Sequence, residues 1–238
     1  MYPIENYLGF HWQMANCEKF AIEGLLRKLS PDVAFEVGTY QGGSLQVLSK
    51  FSKDVVSIDI DPDVKERLSG KLSNVIFHTG DSSNLLPTLL EQYALNGRCV
   101  NFILIDGDHT FEGVRNDVGA LLNWVPQSKC IVLIHDSFNP SCREGIRTAG
   151  WVNSPYVHAV DLDFVPGIYH EYAYDTASAR TMWGGFACAV LQPFPRKGGL
   201  EVMCSQQGLF NAVYKMSSHA DSRALIARIA RKFMAVWR

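Results

Sequence analysis

Between residues 33 and 135 five short apolar runs recur, and each stops at or beside a polar or acidic residue. The runs are Val33–Val37, Val55–Asp59, Val75–His78, Asn101–Asp106 and Cys130–His135. Runs of this length read as β-strands, and the longer stretches between them carry helical patterning. Strands that alternate with helices make a parallel sheet covered on both faces. That burial explains why the runs are apolar almost throughout rather than alternating in polarity. The expected fold class is therefore α/β. In an open sheet of this kind ligands bind outside the carboxyl ends of the strands, where these polar residues fall.

Composition narrows the function. The chain has 238 residues, 47% hydrophobic and 19% charged, which is enough to bury a core and excludes intrinsic disorder. A net charge of -2 and a pI near 6.4 argue against nucleic acid as a partner. No apolar run approaches the ~20 residues of a transmembrane span. Met1–Phe20 lacks a basic-then-apolar leader pattern, so a cytoplasmic location is expected. The six cysteines form no C-x-x-C pair and read as reduced thiols.

Outside the repeated units, Asn16–Leu29 fits an amphipathic helix with Phe20, Ile22, Leu25, Leu26 and Leu29 apolar, ended by Ser30-Pro31. Tyr156–Phe164 and Gly185–Leu191 read as two further strands. Val165–Gly184 between them is rich in Tyr, His and Gly, including Tyr169, His170, Glu171, Tyr172 and Tyr174. A connection of that length is more often functional than filler. Asp221–Arg238 reads as a terminal helix with a basic outer face. The expected organisation is a single domain over 1–238: a helical cap (1–30), a core (30–191) and a C-terminal extension (192–238). Both terminal segments are candidates for homodimer contacts.

Five clusters carry chemistry. Glu36-Val-Gly38-Thr39-Tyr40-Gln-Gly42-Gly43-Ser44 follows a strand and opens a helix. Glycines there let a ligand approach the main chain. A dinucleotide site would have G-x-G-x-x-G; this loop has G-x-x-x-G behind an acid, which repels a pyrophosphate and attracts a cationic amino-acid group. The combination points to S-adenosylmethionine (SAM). Asp59, 23 residues after Glu36 and followed by Ile60, is placed to accept from ribose hydroxyls, while Asp61 caps the next helix. Asp81-Ser82 is placed for the adenine amine. Asp106-Gly-Asp108-His109-Thr-Phe-Glu112 and His135-Asp136-Ser137 end the fourth and fifth strands, which are neighbours in this topology. Asp106, Asp108, His135 and Asp136 are candidate ligands for one divalent cation. His109 is a candidate general base.

In that order, EVGTYQGGS, VVSIDIDPD, GDSSNLL, IDGDHTFEGV and VLIHDS resemble the motifs of class I SAM-dependent methyltransferases. Within them the chain is similar to the small-molecule O-methyltransferases with a D-G-D-H-x-x-E-G-V signature. The resemblance covers about residues 30–140 and the later WGGFACAV strand. It implies a Rossmann-like, seven-stranded, mostly parallel sheet with the last strand antiparallel. It also implies SAM as cofactor, held by Glu36, Gly38, Thr39, Tyr40, Gly42, Ser44, Asp59, Ile60, Asp81, Ser82, Asp106 and Asp108.

The layout is also similar to catechol O-methyltransferase, where an acid after strand four and an acid-plus-amide after strand five hold magnesium, and a lysine three residues past the first acid removes the hydroxyl proton. By that likeness Asp106 and Asp136 hold a metal such as Mg2+, Ser137 stands at the amide and His109 at the lysine. Asp106 and His109 are thus the catalytic candidates. Serine is the poorer ligand, so Asp108 or His135 completes the shell or no metal binds. The expected reaction is methyl transfer to a hydroxyl of a small molecule such as a sugar, phenol or polyketide. A hydroxylase-like enzyme on the same fold and a non-catalytic SAM- or nucleotide-binding protein stay open as alternatives.

Overall fold

The computed structural model describes residues 8–170 and 181–214. Its order is set by β1 (Val33–Val37), which is buried along its whole length and pairs in parallel on both sides. One neighbour is β2 (Asp54–Asp59), followed outward by β3 (Val75–Thr79). The other is β4 (Val100–Ile105), followed by β5 (Cys130–His135). The strand order therefore reverses at β1 and β4, which opens a crevice at their carboxyl ends.

Beyond β5 the direction changes. A long β6 (Val157–Val165) runs to a two-stranded ribbon of β7 (Ile168–His170) and β8 (Thr181–Trp183), and β9 (Phe186–Leu191) returns between β5 and β6, antiparallel to both. The expected seven strands are all present. An eighth, β10 (Val202–Met203), pairs in parallel with β6, giving the order β10-β6-β9-β5-β4-β1-β2-β3. Two residues leave no periodic signal in a sequence, so β10 was not foreseeable.

Among the described residues three α-helices cover each face. α1 (Asn16–Leu29), α2 (Leu45–Phe51) and α3 (Pro62–Leu68) bury Ile22, Leu26, Leu45, Leu48, Val64 and Leu68 against Ala34, Val55, Phe102 and Leu104. α4 (Ser82–Leu95), α5 (Phe111–Leu121) and α6 (Pro140–Arg147) bury Leu86, Leu90, Val114, Val118 and Ile146 against the alternate strand residues Val33, Phe35, Val37, Ile103 and Ile105. This alternation follows from side chains pointing to opposite faces along a strand. It puts Glu36 on the same face as Ala34, toward α2.

Two expectations change. Phe20 is half exposed, because α1 turns Glu18, Ile22 and Leu26 inward instead. β3 is only partly buried, with Ile76 half exposed, because it is an edge strand with one neighbour. The terminal helix expected at Asp221–Arg238, and Glu171, Tyr172 and Tyr174, lie outside the described residues. Among the described residues no helix is long and apolar enough to cross a membrane.

Candidate functional site

The loop after β1 is locked from beneath and from the side. Glu36 is fully buried, and its carboxyl accepts hydrogen bonds from Ser44 Oγ (2.5 Å) and Thr39 Oγ1 (2.8 Å). Burial pushes its pKa up to about 8 against those two bonds, with the charges of Asp106 and Asp59 adding to the rise. Gly38 has φ +82°, and a Cβ there would run into the carbonyl of Asp106, so the loops after β1 and β4 touch through main chain alone. Tyr40 also has a left-handed φ of 47°, unfavourable for a side chain of its size. The conformation is held by Asp59, whose Oδ2 accepts the N–H groups of Thr39 (2.8 Å) and Tyr40 (3.0 Å) while Oδ1 accepts that of Asp61 (2.9 Å).

The loop after β3 is built on capping. Asp81 is the N-cap of α4 and accepts from the Ser83 N–H (2.9 Å) and Oγ (2.7 Å), bonds that hold its pKa down. Ser82 Oγ donates to Oδ1 of Asp117 at 2.5 Å. Asp117 comes from α5 and is buried, which pushes its pKa up to about 6. Asp108 is exposed and accepts from the N–H (2.9 Å) and Oγ1 (3.0 Å) of Thr110, the N-cap of α5.

At the ends of β4 and β5 the carboxylates are answered by histidines. His135 Nδ1 lies 2.8 Å from Asp106 Oδ1, and its Nε2 lies 3.1 Å from Glu18 Oε1. Burial opposes protonation of this ring, yet the charge and hydrogen bond of Asp106, then Glu18 and Asp136, raise its pKa well above the ordinary histidine value. Asp136, held at φ 56°, accepts the Gly184 N–H on Oδ1 (2.7 Å) and meets His109 Nδ1 with Oδ2 (2.6 Å). Burial pushes Asp136 upward, but His109, His135 and the Gly184 N–H outweigh it and hold the carboxyl down. In return the Asp136 hydrogen bond raises the pKa of His109. Among the described residues Nε2 of His109 has no hydrogen-bond partner.

Glu18 comes from the first turn of α1. Its Oε2 accepts the Ala15 N–H and its Oε1 the Gly185 N–H, each at 2.5 Å. In sequence Glu18 reads only as an acid at a helix N-terminus. It meets His135 across 117 positions and Gly185 across 167, and no local pattern encodes such a pairing. Asp117 was missed for a similar reason: within its helix it is one polar residue among several.

All these loops open on one cavity of about 1160 Å³. Of the residues singled out from sequence, Gly38, Thr39, Tyr40, Ser44, Asp59, Ile60, Asp81, Ser82, Asp106, Asp108, His109, His135 and Asp136 line it. Glu36 and Gly42 do not, and act from beneath the loop. Trp12, Glu18, Asp117, Ile168 and Trp183 complete the wall. The segment over residues 11–12 passes so close to Gly43 that a Cβ there would strike it. Ser137 is fully buried beside the cavity, and among the described residues its hydroxyl has no hydrogen-bond partner.

Residues 35–137, from β1 to the end of β5, match the model of a family described as a methyltransferase domain. Among solved structures, an O-methyltransferase from Bacillus cereus in complex with SAH is similar at 15% identity and a TM-score of 0.53, over 76% of this chain and 83% of that one. The O-methyltransferase TomG from Streptomyces achromogenes, involved in tomaymycin synthesis and solved with SAM, is similar at 14% identity and a TM-score of 0.51, over 75% of this chain and 81% of that one. No curated protein is matched by the sequence.

Proposed function

We propose that the chain, whose residues 35–137 match a methyltransferase-domain model and whose fold is similar to that of O-methyltransferases, transfers the methyl group of SAM to a hydroxyl of a small molecule. The observation that carries this reading is the placing of an Asp136–His109 pair, 2.6 Å apart, in the same cavity as the Asp59-braced glycine loop.

The cavity is large enough for SAM and an acceptor together. Gly38 and Gly43 bring main chain to the cavity wall. Bound SAM supplies a methyl group already activated on a sulfonium, so the protein's work is positioning and proton removal. Asp59 shapes the loop through Thr39 and Tyr40, and it and Ile60 flank the nucleoside. Ser82, fixed by Asp117, and Asp81 flank the adenine end. Glu36 lies too deep for contact and acts by fixing Thr39 and Ser44. Nε2 of His109 takes the hydroxyl proton as the C–O bond forms and the methyl–sulfur bond breaks, leaving a neutral thioether. Asp136 orients the ring and stabilises the imidazolium that results.

The lining also speaks to the acceptor. Nine carboxylates and neither Lys nor Arg face the cavity among the described residues. Such a field favours a cationic donor and disfavours phosphorylated or polyanionic acceptors. Neutral hydroxyls of sugar, phenol or polyketide type, or hydroxyls beside an amine, fit it. Trp12, Ile168 and Trp183 supply apolar faces for a ring.

The test pairs calorimetric titration of SAM with a methyl-incorporation screen over neutral, aminated and phosphorylated hydroxyl compounds. His109→Ala is expected to keep SAM affinity and to lower turnover by about 10²–10⁴-fold. Loss of SAM binding in that variant, or undiminished turnover, overturns the assignment.

A further inference from the structure

Transferases of the layout described above place a divalent cation where the loops after β4 and β5 meet. Here the donor atoms of Asp106, His135 and Asp136 lie within 4.8 Å of one another, as do those of His109, Asp136 and Cys142. The donor chemistry does not fit an ion. Ligating histidine offers a ring nitrogen lone pair to the metal and donates from the other nitrogen. Both nitrogens of His135 instead face carboxylate oxygens, Asp106 at 2.8 Å and Glu18 at 3.1 Å. A lone pair pointing at a carboxylate oxygen is repulsive, so both nitrogens carry hydrogen. Of the six carboxylate oxygens of Glu18, Asp106 and Asp136, five are already engaged by N–H groups or imidazoles. Magnesium needs several oxygens free to close on it at about 2.0–2.1 Å. Ser137 offers no substitute, since it is enclosed beneath the loop.

We propose that His135, as a fixed imidazolium bridging Asp106 and Glu18, occupies the place of the divalent cation, so that this chain works without a metal, with Glu18 as the positioning residue that keeps the ring there. The proposal rests on the transferase reading for its consequence, but its geometry can be checked separately. A compact cation buried between three acids holds the ends of α1, β4 and β5 together, as a metal would. Unlike a metal, it has no coordination position open to the acceptor hydroxyl. Proton removal then falls wholly to His109, in line with its partnered Nδ1.

The experiment is a manganese titration of the full chain followed by the EPR signal of free Mn2+, alongside long-range 1H–15N spectra of histidine-labelled protein. The wild-type chain is expected to leave Mn2+ free, and His135 to show two protonated ring nitrogens. His135→Asp, which trades the cation for an acid, is expected to tighten Mn2+ binding by at least about tenfold. Glu18→Gln is expected to shift the Nε2 resonance, a change that lost packing alone would not produce. Tight Mn2+ binding by the wild-type chain that His135→Ala abolishes, or a His135 spectrum with one unprotonated nitrogen, overturns the proposal. Both readouts stand without turnover. A failed transferase reading would show instead as absent SAM binding with the Mn2+ and histidine results intact.

Discussion

The two halves of the cavity hold their carboxylates in different ways. On the β1–β3 side Glu36, Asp59 and Asp81 are answered by hydroxyls and backbone N–H groups. These partners do not change charge with pH, although the buried Glu36 they hold, with its pKa near 8, does. On the β4–β5 side Asp106 and Asp136 are answered by His135 and His109, which do titrate. The contrast lies in the partners: hydroxyls and amides fix the acids of the first half, and ionisable imidazoles fix those of the second, which is the half where the proposed proton transfer falls.

The most severe way to break the contrast is at the seam between the halves. Gly38→Ala puts a methyl group against the Asp106 carbonyl on a left-handed backbone. It is expected to lower stability by about 2–4 kcal/mol and to abolish SAM binding, read by thermal unfolding and calorimetry. A variant as stable and as tightly binding as the parent would mean that the two loops move apart freely.

Asp59→Ala damages the β1–β3 half alone. Removing the acceptor for three N–H groups, two of them in the glycine loop, is expected to weaken SAM binding by about 10–100-fold. The ring resonances of His109 and His135 should stay unchanged. A change in those resonances would show that the two halves are coupled.

The smallest effect sharpens the titrating half. Because the Asp136 hydrogen bond and charge raise the pKa of His109, the neutral base accumulates only above the usual histidine range. Turnover should therefore rise with pH through an inflection above about 6.5. Asp136→Asn is expected to move that inflection downward, seen in the pH–rate profile at saturating SAM. An inflection that does not move would remove His109 from the proton transfer.

Much of the sheet was legible because buried parallel strands are apolar throughout and end where the ligand edge begins. Val33–Val37 and Cys130–His135 were read to the residue for that reason. The positions of Asp59, Asp106, His109 and Asp136 along that edge followed from the same rule. What could not be read was direction and depth. Glu36 looked like a ligand contact, but it occupies the inward register of β1 and is covered by the loop it anchors. His135 reads as a metal ligand in sequence, where nothing local shows that its second ring nitrogen meets Glu18, 117 positions away. Spacing identifies which residues share an edge; only packing shows whether an acid meets a ligand, a hydroxyl or another side chain.

The span from Glu18 to Gly185 has a consequence for synthesis. The loops after β1, β2 and β3 that line the cavity have all been synthesised once β5 has left the ribosome. The Gly184 and Gly185 amides that anchor Asp136 and Glu18 arrive some fifty residues later. At translation rates of about 5–20 residues per second the nascent chain passes several seconds before those amides can brace Asp136 and Glu18. During translation, the β1–β3 side of the cavity is therefore complete in sequence before the β4–β5 side can be braced.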